Sequence, residues 1–462
     1  MVLLLLILLF GFASTLEIQK VVIVVISQDN KYNLGLAQNL TREIFAESEK
    51  LYGTRPIVHV SSTDFPSKAD WTYLPLFSDL VNSHEDNASW VFFMQDYTAV
   101  RLAKLLEIFE KYDHQKEVWF GHALFDQTPT VIHHFAFHEN PTIFKYPNVA
   151  SGFAISFPLL KRLSYKWEEF HKTQTSNFHI DSGHELALFV WKDANGPVLE
   201  HEPALCSTFE EPERCGSHPS QFHNCDNLVP RNSIYFAVKT CSKFHKDRVP
   251  IVKKTWGGHV TTIKYFSDAE DKSIPTVNLG IPNTEHGHCA KTLAIIKYIA
   301  SEIKSSSYIK WIVIADDDTI LGVTNLQRLL SCYDHGDAIC LGERYGFELN
   351  GPRGYNYITG GAGMVFSRPL LAKIAESCVC PSLTTPDDMY LGICVAKLGL
   401  EVTHAPGFHQ ARPVDYSPEY LKSHEAVSFH KHYMVDPVDI YKQWFETEDT
   451  LANRTKQLRV EL

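Results

Sequence analysis

An α/β protein built from two tandem copies of one domain is the fold this sequence predicts, each copy a mostly parallel sheet covered by helices. Three observations carry that expectation. Trp90 to His122 (WVFFMQDYTAVRLAKLLEIFEKYDHQKEVWFGH) aligns without a gap on Trp311 to Glu343 (WIVIADDDTILGVTNLQRLLSCYDHGDAICLGE), and each stretch reads as strand, turn, helix and strand. Further on, Tyr146 to Leu163 lies over Tyr357 to Ile374, with Gly152, Ser156, Pro158 and Leu160 on Gly363, Ser367, Pro369 and Leu371. A third block sets His184-Glu185 over Asp387-Asp388 and His201 over His404 in the same order. Both copies open on a β-branched or apolar run, Val21 to Ile26 and Ile234 to Val238. Strands alternating with helices imply a sheet buried on both faces, with ligands at the carboxyl ends of the strands.

The expected boundaries follow from these blocks. Residues 1–16 read as a signal peptide, 17–206 as the first copy, 207–231 as a cysteine-containing linker, 232–435 as the second copy, and 436–462 as a tail. The apolar run Val2 to Ala13 suits a cleaved leader, with an uncleaved anchor as the alternative, and is shorter than the ~20 residues of a membrane span. Sequons at Asn39, Asn87 and Asn453 fit a lumenal chain, as do ten cysteines between Cys206 and Cys394, an even number whose pairing spacing does not reveal. The terminal Arg459-Val460-Glu461-Leu462 resembles an endoplasmic-reticulum retrieval signal, with Val460 in place of the usual acidic residue. A net charge of −11 offers no basic face for phosphate neutralisation, so no nucleic-acid partner is expected.

Chemistry concentrates in the second copy. Asp316-Asp317-Asp318 follows the apolar run Trp311 to Ala315, and three adjacent carboxylates are either solvated or neutralised by a cation, the buried strand before them favouring the cation. Alternation along an extended segment puts Asp316 and Asp318 on one side, as hard ligands for Mn²⁺ or Mg²⁺ on a diphosphate. Asp387-Asp388 enters an apolar helix, where a carboxylate can take the proton of an attacking hydroxyl or merely cap the helix. Gly360-Gly361-Ala362-Gly363 permits close backbone approach. His409, after the run Val402 to Phe408, is the expected third metal ligand.

In this order the residues resemble the fringe-like β-1,3-glycosyltransferases. The series comprises Lys239-Thr240, His245, Arg248, Thr255-Trp256, Tyr265-Phe266-Ser267-Asp268, Lys291, Asp316-Asp317-Asp318, Gly360 to Gly363 with Ser367, Asp387-Asp388 with Gly392, and Phe408-His409. The resemblance implies two tandem GT-A-like domains with Rossmann-like mixed sheets, the first degenerate. It implies Mn²⁺ on Asp316, Asp318 and His409, the nucleotide sugar held by Arg248, Asp268, Lys291, Asp316, Asp317 and Gly361, and Asp388 as base with Asp387 beside it. The duplication, leader and tail are most similar to family members that glucosylate O-linked fucose on thrombospondin type 1 repeats. That implies UDP-glucose as donor, a fucosylated repeat as acceptor, residence in the endoplasmic reticulum lumen, and no stable membrane span after cleavage. UDP-galactose or UDP-N-acetylglucosamine as donor, and a non-catalytic lumenal lectin-like binder, are the rival readings.

The first copy is an internal control. Opposite Asp316, Asp317 and Asp318 stand Gln95, Asp96 and Tyr97, opposite His409 stands Cys206, and opposite Gly360-Gly361 stand Val149-Ala150. Glu185 faces Asp388 in the alignment, and Phe189 faces Gly392. The expectation is a copy that kept the fold, lost the metal chemistry and serves as a docking or scaffolding module for the protein acceptor, with Glu185 the residue that could still act as a base.

Overall fold

The computed structural model describes residues 17–452 apart from 68, 174–177, 193–194, 223–224 and 226. The leader, Asn453 and the terminal tetrapeptide lie outside the described residues, among which no helix is long and apolar enough to cross a membrane.

Each copy builds the same mixed sheet. Edge to edge, the first runs Glu200–His201, Trp119–Gly121, Phe153–Ser156, Trp90–Gln95, Val21–Ile26 and Ile57–Val60. The second repeats this order as Val402–His404, Cys340–Gly342, Met364–Ser367, Trp311–Asp316, Ile234–Lys239 and Thr262–Ser267, then adds Thr276–Asn278 at its edge. In each, one strand runs antiparallel to both neighbours, Phe153–Ser156 in the first and Met364–Ser367 in the second, while the others are parallel. Val21 to Ile26 and Ile234 to Val238 are buried throughout because helices cover both faces.

The correspondence reaches single hydrogen bonds. Thr98 Oγ1 accepts from Gln95 N at 3.1 Å and donates to Ala150 O at 2.9 Å, and Thr319 Oγ1 does the same with Asp316 N at 3.0 Å and Gly361 O at 2.8 Å. Ser156 Oγ bridges Val118 N and Lys116 O, as Ser367 Oγ bridges Ile339 N and Asp337 O. These hydroxyls satisfy buried backbone groups between strands, which is the physical reason both copies retain them.

Two boundaries differ from expectation. Within 207–231, Ser217–Pro219 pairs antiparallel with Thr98–Val100, just as Ser428–His430 pairs with Thr319–Leu321, so the first copy extends to about Pro219. The disulfide Cys206–Cys215 lies in this extension, and Cys225–Cys332 ties the following segment to the second copy. The supposed tail is also structural to residue 452. Helix Val323–Leu330 starts after Gly322, which has no side chain to cap it, and Asp449 accepts from Val323 N at 3.2 Å and Thr324 N at 2.6 Å instead. Phe445 packs directly on Gly322.

Contacts between the copies are specific. Gln28 covers the open edge at His404, accepting from its N–H at 2.7 Å and donating to its carbonyl at 3.0 Å. Trp71 Nε1 donates to Asn356 Oδ1 at 3.1 Å, and Ile132 of the first copy is buried in the core of the second. Phe178–His179 of the first copy adds a strand to Arg344–Phe347 of the second.

Asp449→Ala should cost about 2 kcal/mol of stability by loss of this remote cap. Urea unfolding would register it as a lower midpoint with an unchanged slope, whereas an unchanged midpoint would mean that Asp449 does not cap the helix.

Candidate active site

Strand Trp311–Asp316 is buried except at its last residue, so the carboxylates emerge where the sheet ends. Asp316 and Asp318 bring carboxylate oxygens together, and Asp317 is engaged by neighbouring side chains. Its Oδ2 accepts from Thr240 Oγ1 at 2.6 Å and its Oδ1 from Arg248 at 2.9 Å, and burial pushes its pKa up to about 6. Asp318 contacts Arg248 at 2.8 Å and His430 Nε2 at 3.2 Å. Burial would raise the Asp318 pKa, but His430 and Arg248 hold it well below the usual carboxylate range.

The ligand atoms of Asp316, Asp318 and His430 lie within 4.8 Å of one another. Two carboxylates and an imidazole are a donor set suited to a divalent ion. His430 is well set as a ligand, because its Nδ1 is hydrogen-bonded to Gln410 O at 3.0 Å, which leaves Nε2 facing the carboxylates.

His409 does not join this group, contrary to expectation. Its ring is fully buried, 2.8 Å from Ser428 O through Nδ1 and 2.9 Å from His424 through Nε2, and stacked on Phe429. Burial lowers its pKa to about 4, so it is a neutral core residue. Its neighbour Gln410 supplies the carbonyl that orients His430. Sequence reasoning missed His430 because it lies beyond the aligned blocks. The usable signal was Gly361, where an added Cβ would sit 2.3 Å from the His430 ring. In the first copy Ala150 replaces Gly361, and strand register sets Pro219 opposite Thr98 where His430 stands opposite Thr319. Glycine and histidine are lost together there.

Asp316, Asp317, Asp318 and His430 line part of a cleft of about 330 Å³, with Lys239, Lys243, Phe244, Arg248, His288 and Lys291 around it and Glu285 also at its wall. Arg248 stacks on Phe244 at 3.8 Å. Lys291 donates to Thr240 O, is buried, and has no carboxylate within 4 Å among the described residues. Burial pushes its pKa down. A buried ammonium facing a cleft favours an anionic ligand. Asp268 does not line the cleft. It accepts from Ser242 N at 2.7 Å and Ser242 Oγ at 3.1 Å, shaping the loop that carries Phe244.

The paired aspartates divide their work. Asp387, 7% exposed, is committed to Lys239 at 2.5 Å and Thr292 Oγ1 at 2.6 Å. Asp388 is partly exposed and accepts from Gly360 N at 3.1 Å and Met389 N at 2.7 Å. Burial and the neighbouring Asp387 raise its pKa, whereas Lys239 depresses that of Asp387 against burial. Of the pair, Asp388 is the more exposed and forms no ion pair among the described residues, while Asp387 is held by Lys239. Lys239 also reaches Asp316 at 3.1 Å, joining the metal group to the acidic helix.

The Fringe-like family model matches residues 57–210 and 229–456, one stretch for each copy. The chain belongs to that family. A Mus musculus protein named beta-1,3-glucosyltransferase is 42% identical over 445 residues, which span 96% of this chain and 90% of that protein. A Homo sapiens beta-1,3-glucosyltransferase is 43% identical over 437 residues, 94% of this chain and 87% of that one. The human beta-1,3-N-acetylglucosaminyltransferase lunatic fringe is 28% identical over 220 residues, 43% of this chain and 57% of its own length.

In this Fringe-like chain the first copy's equivalent groups are engaged elsewhere. Gln95 donates to Tyr73 OH at 2.8 Å, and Asp96 accepts from Asn33 at 2.8 Å and Ser27 at 2.9 Å. Glu185, opposite Asp388, is bound to His179 at 2.8 Å and Ile180 N at 2.6 Å.

Lys239→Met should destabilise the protein by about 3 kcal/mol at pH 7 by leaving buried carboxylates unpaired. Because Lys239 holds the Asp387 pKa down, its contribution is present above about pH 4 and is lost as pH falls through the lower folded value. Urea titrations at several pH values should therefore show a deficit that is steady from pH 7 to about 4 and shrinks below it; a deficit undiminished below about pH 4 would mean that the ion pair is not its source.

Proposed function

We propose that this chain is an inverting β-1,3-glucosyltransferase that moves glucose from UDP-glucose onto O-linked fucose of folded thrombospondin type 1 repeats, in the endoplasmic reticulum lumen. The observation that carries the reading is the division of labour at Asp387-Asp388. One carboxylate is locked to Lys239, and the other is left as a base near a cleft lined by Arg248, Lys291 and the triple aspartate. The relatives named beta-1,3-glucosyltransferase, matching nearly the whole chain, favour glucose as the donor sugar. Four disulfides and exposed sequons at Asn39 and Asn87 favour an oxidising secretory compartment.

Mn²⁺ fits the group Asp316, Asp318 and His430, and when bound it supplies positive charge for the diphosphate. Arg248 and Lys291 line the cleft where the diphosphate binds and add fixed positive charge. The acceptor hydroxyl attacks the anomeric carbon, its proton passes to a carboxylate oxygen of Asp388, and the bond to UDP breaks. A single displacement inverts the configuration. Lys239 and Thr292 hold Asp387, and through the helix they fix where Asp388 stands.

Asp388→Asn should lower transfer at least ~10³-fold with UDP-glucose affinity little changed, as followed by UDP release and calorimetry. Near-normal transfer would remove Asp388 as the base. In the wild-type protein the acid limb of kcat/KM should lie above the ordinary carboxylate value of about 4, since the base is active only when ionised and its pKa is raised. A panel of UDP-glucose, UDP-galactose and UDP-N-acetylglucosamine, with product masses, tests the donor.

His430→Ala should raise the Mn²⁺ concentration needed for half-maximal activity at least ~10-fold. His409→Ala should instead lower thermal stability with that concentration unchanged. The reverse pattern would restore His409 as the ligand.

A further inference from the structure

Next to the base the two copies share a sheet. Tyr355–Ile358 pairs with Arg344–Phe347, which pairs with Phe178–His179 of the first copy. Register sets Tyr355 opposite Phe347 and Phe347 opposite Phe178, so the three rings form one cross-strand row. Their centroids follow at 5.7 Å and 5.1 Å. The row ends on Phe178, which is 38% exposed.

The inner end of the row lies at the acidic helix. A Cβ on Gly392 would stand 2.5 Å from Tyr357 Cβ, so Gly392 gives the Asp387–Lys397 helix close contact with strand Tyr355–Ile358. Asp388 is one turn earlier on the same helix face. A hydroxyl presented to Asp388 therefore puts whatever carries it over this sheet. The row continues two ring-to-ring steps beyond Tyr355, farther than a single hexose covers.

We propose that Phe178, Phe347 and Tyr355 form the docking surface for the polypeptide of the folded acceptor, with the first copy supplying the outer end of the substrate site. The inference rests on the transferase reading above and deepens it. Aromatic side chains give large contact area at low entropic cost and dominate binding energy at protein surfaces. It also gives the first copy a task that needs none of the lost ligands. Glu185, tied to His179 and Ile180 N, braces the strand that carries Phe178.

The test compares full-length wild-type, Phe178→Ala and Phe178→Trp proteins on two acceptors, an O-fucosylated folded repeat and p-nitrophenyl α-fucoside, at saturating UDP-glucose with Mn²⁺. For Phe178→Ala, KM for the folded repeat should rise about tenfold, with kcat on it and both constants for the fucoside unchanged. Phe178→Trp should behave as wild type. Equal increases on both acceptors, or no change on either, would overturn the inference, as would a change in the sedimenting mass of the free protein, which would make the row a self-association surface. If the wild-type protein transfers to neither acceptor, the proposed function falls. Calorimetry of the fucosylated repeat without donor then still decides the surface: weaker binding to Phe178→Ala supports it, and equal binding removes it.

Discussion

The Lys239 ammonium, shared by Asp316 and Asp387, is the interaction on which the active-site geometry depends. It joins the strand that ends in the triple aspartate to the helix that begins with the acidic pair. A charge this deeply buried needs close partners of opposite sign, so neither element can shift without exposing an uncompensated ion. The same helix is held from behind. Thr292 bonds Asp387, and the disulfides Cys289–Cys380 and Cys378–Cys394 tie helices Cys289–Glu302 and Asp387–Lys397 to the segment between Cys378 and Cys380. Lys291, on the first of those helices, reaches the cleft from this braced position. The partly exposed Asp388 thus stands on a rigid support.

Two copies of one scaffold show which parts are structural and which are chemical. Thr98 and Thr319, and Ser156 and Ser367, make matching hydrogen bonds because both sheets need them. The pair Gly361 and His430 corresponds to Ala150 and Pro219, and a side chain at the glycine position and an imidazole at the other cannot share the space. In the first copy Gln28, just beyond the first strand, grips His404 of the second copy.

Much of the fold was legible because it rests on local pattern. The apolar runs before Gln95 and Asp316, the turns after them and the collinear blocks are periodicities that sequence displays directly. Asp316, Asp318 and the Asp387-Asp388 pair were also visible, as carboxylates where strands and helices meet. Less visible were contributions from chain distant in sequence. Ser217–Pro219 read as linker because three residues rich in turn-forming types carry no strand signal, and only pairing with Thr98–Val100 makes them one. Asp449 read as tail because its role as a cap lies 126 residues away, at Val323.

The histidines mark the limit most sharply. The sequence pointed to His409 as the third ligand and passed over His430, and nothing local separates them. Antiparallel register does: Thr319 opposite His430 delivers one imidazole to Asp318, while His409 turns into the core against Phe429. The triple aspartate, its strand and the doubling of the domain belong to the sequence. Which histidine meets the aspartates, which aspartate of the pair stays available, and where the copies touch depend on side chains converging from separate strands. That convergence exists only once burial and strand pairing have set their directions.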